Sequence, residues 1–181
     1  MISIITDSDS SIPVEMAKKY GVRLVPISIQ FGEDVYDACT EIDDKQVFAR
    51  IDKEERLPTT AAPSPGKFSE AYQDAVEKDK ADAIVCFCVS GEVSATYSAA
   101  KLAAEEFSSK VQIEVIDTRS LTMAQGYMAL AAAEAAKRGK SIEQILAAAT
   151  ATGKRAHVYG ALNTLKYLSM SGRVSHLAAG M

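Results

Sequence analysis

The segment 83–89 (AIVCFCV) is apolar at every position and constrains the fold more than any other part of the chain. A strand with one face in water alternates apolar and polar residues, whereas a strand that is apolar throughout must be covered on both faces. Such strands are typical of sheets that carry helices on both sides. With 181 residues, the chain has room for one such domain and part of another.

The rest of the chain alternates predicted strands with predicted helices. Strands are expected at 2–6, 22–31, 83–89, 111–116 and 155–162, with a hairpin around 32–34 and a loop at 58–63. Helices are expected at 13–20, 43–52, from Ser64 onward, from Ser94 or Thr96 to about 107, 120–138, 141–151 and from 163 or 164 to about 168. This order predicts an α/β fold with a mainly parallel sheet flanked by helices.

Composition and cysteine usage narrow the class of protein. The net charge of −4 argues against nucleic acid as a partner. Cys86 and Cys88 are predicted to be small buried residues that stay reduced in the cytoplasm. Ile84 lies on the same face of the predicted strand 83–89 and is predicted to be buried with them. The chain opens with no charged-then-apolar leader and contains no apolar run of about 18 residues. We therefore expect a cytoplasmic protein.

The common motifs of cofactor and metal sites are missing from the sequence. It contains no phosphate-binding glycine loop and no nucleophile elbow. The two histidines, His157 and His176, have no cysteine or carboxylate neighbours at ligand spacing. We expect neither a metal nor a cofactor.

Four loops are rich in hydroxyl side chains: 6–11, 59–60, 90–96 and 118–122. Three of them follow predicted strands, and the carboxyl ends of parallel strands converge on the edge of the sheet where ligands bind. Hydroxyls beside helix N-termini form a cluster of donors suited to one carboxylate or phosphate oxygen. Asp7, Ser8, Thr96, Thr118 and Ser120 are the further pocket or loop residues that this pattern indicates.

Helix capping explains each of these loops taken alone, because Ser, Thr and Asp are preferred helix caps. Capping does not require the adjacent pair Thr59 and Thr60, nor three hydroxyls among residues 94–98. These two segments carry the functional hypothesis.

The same two segments resemble signatures of the DegV family of bacterial fatty-acid-binding proteins. Residues 57–68 (LPTTAAPSPGKF) are similar to T-S-Q-P-S-P-G-E-F, and 90–100 (SGEVSATYSAA) to S-S-x-L-S-G-T-Y-x-S-A. The segments 6–8 (TDS) and 115–120 (VIDTRS) fit in order, and 165–175 (LKYLSMSGRVS) is similar to L-x-Y-L-x-K-G-G-R-I-S. Five segments in order span nearly the whole chain, which is more specific than any one of them.

The resemblance implies a two-lobed α/β protein of about 280 residues with a fatty acid in a tunnel between the lobes. It implies that residues 1–153 form the first lobe and that residues 154–181 begin a second α/β lobe. It implies that Thr60 and Ser94 donate to the ligand's carboxylate, and that Arg173 lies near that carboxylate. The family's functional histidine lies beyond residue 181 and is not His176. Departures from the pattern include Ala61-Ala62 in place of Ser-Gln, Ala95 in place of Gly, and Met170-Ser171 in place of Lys-Gly.

Three functional hypotheses remain open at this point. The leading one is a fatty-acid carrier that presents the carboxylate to a partner fatty acid kinase, with no catalysis by this chain. The second is a hydrolase or acyltransferase with Ser94 as nucleophile and His157 as its base. The third is a sensor or regulatory module without a lipid.

The resemblance also implies that part of the tunnel wall is missing from the chain. An apolar face of the first lobe would then be open to water, which is unusual above a few hundred Å². We expect that the chain either self-associates through this face or derives from a longer protein. Peripheral contact with a membrane during lipid exchange is a further expected interaction.

Overall fold

The computed structural model describes residues 1–163, 165, 168 and 171–173. Its strands are β1 (Ile2–Asp7), β2 (Val22–Val25), β3 (Ser28–Phe31), β4 (Asp34–Asp37), β5 (Thr59–Ala61), β6 (Ala83–Cys88) and β7 (Gln112–Asp117). Its α-helices are α1 (Val14–Tyr20), α2 (Asp44–Glu54), α3 (Pro65–Glu77), α4 (Thr96–Glu105), α5 (Thr122–Lys137) and α6 (Ile142–Gly153). A short 3-10 turn at Ser8–Ser10 follows β1.

A four-stranded sheet in the order β2-β1-β6-β7 forms the centre of the described fold, and all its strand pairs are parallel. A second, smaller sheet is antiparallel and has the order β4-β3-β5. The α/β class with a mainly parallel sheet is therefore confirmed.

The prediction for β6 is also confirmed, because all six of its residues are buried. Ile84, Cys86 and Cys88 pack in one core cluster, which includes Phe68 and Tyr72 of α3 and parts of α4. Val85 and Phe87 point the other way, into a cluster built with α1, α5 and α6. The two cysteine sulfurs lie 3.9 Å apart as free thiols in the core.

Helix ends follow the local chemistry that was expected of them. Ser64 caps α3 by accepting from the Lys67 N–H, and Pro65 occupies the first helical position. Ser141 caps α6 in a reciprocal capping box with Gln144. α5 begins at Thr122 rather than at Ser120.

The prediction of one strand over 22–31 is wrong, because two strands of two different sheets occupy it. β2 pairs with β1 in the large sheet, and β3 pairs with β4 and β5 in the small one. Pro26 lies at the break, where its missing N–H interrupts a ladder of hydrogen bonds. The predicted hairpin is confirmed: Phe31 pairs with Asp34 around a two-residue turn that Gly32 begins with φ +63°.

Two other segments differ from prediction. Residues 59–61, expected as loop, form β5 against β3. Residues 155–162, expected as a strand, form none, because they pair with no strand in the described part of the chain. Tyr159 there is 91% exposed. The predicted helix from 163 or 164 falls largely outside the described residues.

A buried carboxylate joins the ends of two central strands. Asp7, the last residue of β1, accepts from the Val89 N–H at 2.8 Å and from the Asp9 N–H at 3.0 Å. Gln125 of α5 adds a bond from its amide to Thr6 at 2.9 Å. Burial raises the pKa of Asp7 to about 6, while the hydrogen bond from Val89 acts in the opposite direction.

Helix α5 approaches the turn after β1 so closely that only glycine fits at one position. A Cβ on Gly126 would lie 2.6 Å from the Ser10 carbonyl oxygen and 3.0 Å from Ile12 Cγ1. The absence of a side chain at Gly126 therefore sets the distance between α5 and the edge of the sheet.

We predict that Gly126→Ala destabilises the fold by about 1–3 kcal/mol, because the new methyl group must push apart two packed backbone segments. Gly66→Ala in α3 is the matched control, since its Cβ would meet only Ser64 Oγ at 3.6 Å. The control should be neutral or stabilising by up to about 1 kcal/mol through helix propensity. Urea unfolding of both variants measures the difference, and equal stabilities would contradict the close approach.

We predict that Asp7 makes stability fall as pH rises through the window from about 4 to about 6. The folded state binds the Asp7 proton more tightly than the unfolded state does, so deprotonation favours unfolding. The difference in unfolding free energy between wild type and Asp7→Asn should decrease across this window by at most about 3 kcal/mol. A pH-independent difference would contradict the raised pKa.

Candidate functional site

A cavity of about 420 Å³ opens where the loops after β1, β6 and β7 meet. The loop after β1 contributes Asp9, the loop after β6 contributes Ser94, and the loop after β7 contributes Leu121. Thr60 of β5 and Arg173 complete its polar lining. The three residues expected to bind a carboxylate, Thr60, Ser94 and Arg173, therefore line one cavity.

The remaining wall of this cavity is apolar. It consists of aliphatic side chains from five parts of the chain, namely Ile27, Ala61, Ala62, Val89, Val93, Leu121 and Leu168. Such a lining, with a few polar groups at defined positions, is typical of sites for small apolar ligands.

Ser94 reaches the cavity from the loop that leads into α4. Its Oγ lies 2.8 Å from Thr96 Oγ1, and it also accepts from the Thr96 N–H at 3.3 Å. Thr96 is fully buried and Ser94 is half-buried. Thr96 therefore orients the Ser94 hydroxyl and does not itself line the cavity.

Thr60 reaches the cavity because residues 59–61 are a strand. In β5, Thr60 pairs with Ile29 of β3, and its side chain is exposed. The small antiparallel sheet thus supplies one side of the site, a role that local sequence patterns did not predict.

Asp9 is the cavity residue that was missed. It lies in the turn after β1 and lines the cavity together with Arg173. Desolvation raises the pKa of Asp9, and the charge of Arg173 acts in the opposite direction. Its position in the hydroxyl-rich loop 6–11 was the available signal.

The other predicted loop residues do not line this cavity. Asp7 holds the ends of β1 and β6 together, as described above. Ser8 Oγ accepts from the Ile27 N–H at 3.0 Å, and Thr118 Oγ1 donates to the Cys88 carbonyl at 2.7 Å. The Ser120 carbonyl accepts from the Ser90 N–H at 2.9 Å. These contacts position the loops around the site.

His157 and Ser94 line different cavities. His157 lines a second cavity of about 630 Å³ with Tyr127, Arg155 and Tyr159, and its ring centroid is 6.5 Å from that of Tyr159. The described contacts of Ser94 include Thr96 and no histidine.

The described residues contain no group of three or more His, Cys, Asp or Glu side chains placed to hold a metal ion. No helix among them is both long enough and apolar enough to cross a membrane. His176 falls outside the described residues.

Comparison with known proteins places the chain in a family. The sequence model described as "Uncharacterised protein, DegV family" matches residues 1–181. A DegV domain-containing protein of Streptomyces coelicolor is 34% identical over 173 residues, which is 96% of this chain and 60% of that protein. The chain thus spans about 60% of the length of the curated relatives it matches.

Solved structures share the fold. A DegV family protein from Thermus thermophilus, described for its fatty acid binding, has a TM-score of 0.84 and 32% identity over 94% of this chain and 60% of its own. DegV of Bacillus subtilis, described as a fatty acid binding protein, has a TM-score of 0.78 and 30% identity over 84% and 54%. The resemblance seen in five short segments therefore extends over the whole sequence, and this chain belongs to the DegV family.

Proposed function

We propose that this chain binds a long-chain fatty acid, with the carboxylate held by Thr60, Ser94 and Arg173. The observation that carries the proposal is that these three polar side chains line one otherwise largely apolar cavity. Solved relatives whose names state fatty acid binding support the ligand class.

The chemistry of the cavity suits an amphiphile with one small anionic head group. Two hydroxyls and one guanidinium supply donors for carboxylate oxygens, and bonds of this kind contribute about 1.5–3 kcal/mol each. The aliphatic wall accommodates the acyl chain, whose burial contributes about 0.8 kcal/mol per CH₂. Affinity then comes mostly from the chain, and the polar groups set its orientation.

We further propose that the bound acid is presented to a partner fatty acid kinase. In that step a P–O bond forms between the carboxylate and the γ-phosphoryl group of ATP while the bond to ADP breaks. Thr60 and Arg173 are exposed, so a carboxylate between them stays accessible to a partner. This chain would supply binding and orientation, and the kinase would supply catalysis.

We also propose a cytoplasmic location and a transient contact with membranes. Three free cysteines, two of them with sulfurs 3.9 Å apart, suit a reducing cytoplasm. Transient contact with a membrane would allow lipid exchange. We also propose that the first lobe ends near residue 153 and that the chain self-associates through an apolar face of this lobe.

The alternative of a serine hydrolase or acyltransferase fits the geometry less well. A nucleophilic serine needs a base within hydrogen-bond reach. The Ser94 hydroxyl instead pairs with Thr96, and His157 lines a different cavity.

We predict that Ser94→Ala weakens binding of palmitate by about 1.5–3 kcal/mol, the scale of a hydrogen bond to a charged group. Ser98→Ala is the matched control, because Ser98 is an exposed serine of α4 that does not line the cavity. Ser94→Thr should restore part of the affinity by restoring a hydroxyl. Calorimetric titration measures all three variants, and an unchanged Ser94→Ala affinity would show that the carboxylate is held elsewhere.

We predict that a phosphonofluoridate does not label Ser94, since a ligand-binding hydroxyl without a base is not an activated nucleophile. Intact-mass spectrometry after incubation measures the result, with a known serine hydrolase as positive control. A stoichiometric adduct mapped to Ser94 would favour the hydrolase alternative instead.

A further inference from the structure

We propose that Asp9 sets how much negative charge the head-group end of the cavity accepts, so that the site favours carboxylates over doubly charged head groups. The inference rests on the proposed function, because it concerns the head group of the same ligand. It assigns a specificity-determining role to a residue for which the hydroxyl pattern assigned none.

The position of Asp9 is fixed by the turn after β1. Its backbone N–H donates to Asp7 Oδ1 at 3.0 Å, and its carbonyl accepts from Ser11 Oγ at 3.4 Å. The side chain is half-buried and lines the cavity with Thr60, Ser94 and Arg173. Asp9 therefore lines the same cavity as the proposed carboxylate donors.

Few other charges act on this end of the cavity. Among the described residues, Asp9 and Arg173 are the only charged side chains in its lining. Asp7 is fully buried and bonded to backbone N–H groups. The remaining charged groups of the neighbouring loops are engaged outside the cavity: Glu92 pairs with Arg119, and Asp117 accepts from backbone N–H groups.

The ionised pair of Asp9 and Arg173 contributes no net charge. A bound carboxylate then adds one negative charge to the site, whereas a phosphate ester adds nearly two at pH 8. Because the Coulomb energy is proportional to the ligand's charge, Asp9 opposes the phosphate ester about twice as strongly in free energy. If Asp9 weakens binding of a monoanion by some factor, it therefore weakens binding of the matching dianion by the square of that factor.

This relation gives Asp9 a role in the proposed transfer. Phosphorylation of the bound carboxylate would add the charge that Asp9 disfavours. The site would then hold the substrate more tightly than the product, which favours release of the product.

The test compares three ligands with the same chain length and different charge: 1-dodecanol, laurate and dodecyl phosphate. Their dissociation constants are measured by calorimetry at pH 8 for wild type, Asp9→Asn and Glu92→Gln, below the micelle concentrations. Asp9→Asn should tighten laurate about fivefold and dodecyl phosphate about 25-fold, with dodecanol unchanged. Glu92→Gln removes the same charge from the exposed surface outside the cavity and should change none of the three.

The outcomes separate the role of Asp9 from the proposed function. If wild type binds laurate but Asp9→Asn shifts all three ligands by the same factor, Asp9 only shapes the cavity and the inference is wrong. If wild type binds none of the ligands, the proposed function itself fails, and the role of Asp9 fails with it. Thermal unfolding checks that the variants fold, and Asp9→Ser replaces Asp9→Asn if the latter does not.

Discussion

The complete burial of β6 is the constraint on which the rest of the fold depends. A strand with Ile84, Cys86 and Cys88 on one face and Val85 and Phe87 on the other must have apolar partners on both sides. Helices α3 and α4 cover one face, and α1, α5 and α6 cover the other. Because the strands of this sheet are parallel, the loops after β1, β6 and β7 all begin at the same edge of the sheet. The cavity lies at that edge because these three loops meet there.

The same edge is held together by buried polar contacts, which have an energetic cost. The Asp7 carboxylate gives up hydration to accept two backbone N–H groups, and burial raises its pKa to about 6 although these hydrogen bonds act in the opposite direction. These contacts fix the position of the turn that carries Asp9 relative to β6, the strand that leads toward Ser94. The close approach of Gly126 to the Ser10 carbonyl fixes a third element, α5, against that turn.

Local patterns predicted the central strands and most helices because their signals are local: the apolar run of β6, the Ser64 cap of α3 with Pro65 at its first position, and Ser141 at the start of α6. The errors occurred where distant pairing decides. Residues 59–61 become a strand only because β3 offers a partner, and residues 155–162 have no partner among the described residues. Thr60, Ser94 and Arg173 were identified from resemblance to a family, whereas Asp9 required the cavity itself to be seen. Which hydroxyls hold loops and which line the site likewise depends on contacts between segments far apart in sequence.

The acyl chain and the head group contribute to binding in different ways in this cavity. Each CH₂ that leaves water contributes about 0.8 kcal/mol, so a dozen of them contribute about 10 kcal/mol, which is at least as much as three hydrogen bonds to a carboxylate at about 1.5–3 kcal/mol each. A cavity whose described lining carries one carboxylate and one guanidinium as its charged groups is poorly suited to tight binding through an anion alone. It is well suited to holding an acyl chain by its length while leaving the head group in a defined place. Thr60 and Arg173 are exposed and Val89 is buried, so two of the polar groups face water and part of the apolar wall lies in the core. In the proposed function, this arrangement allows another protein to act on the carboxylate without first removing the acyl chain from the cavity.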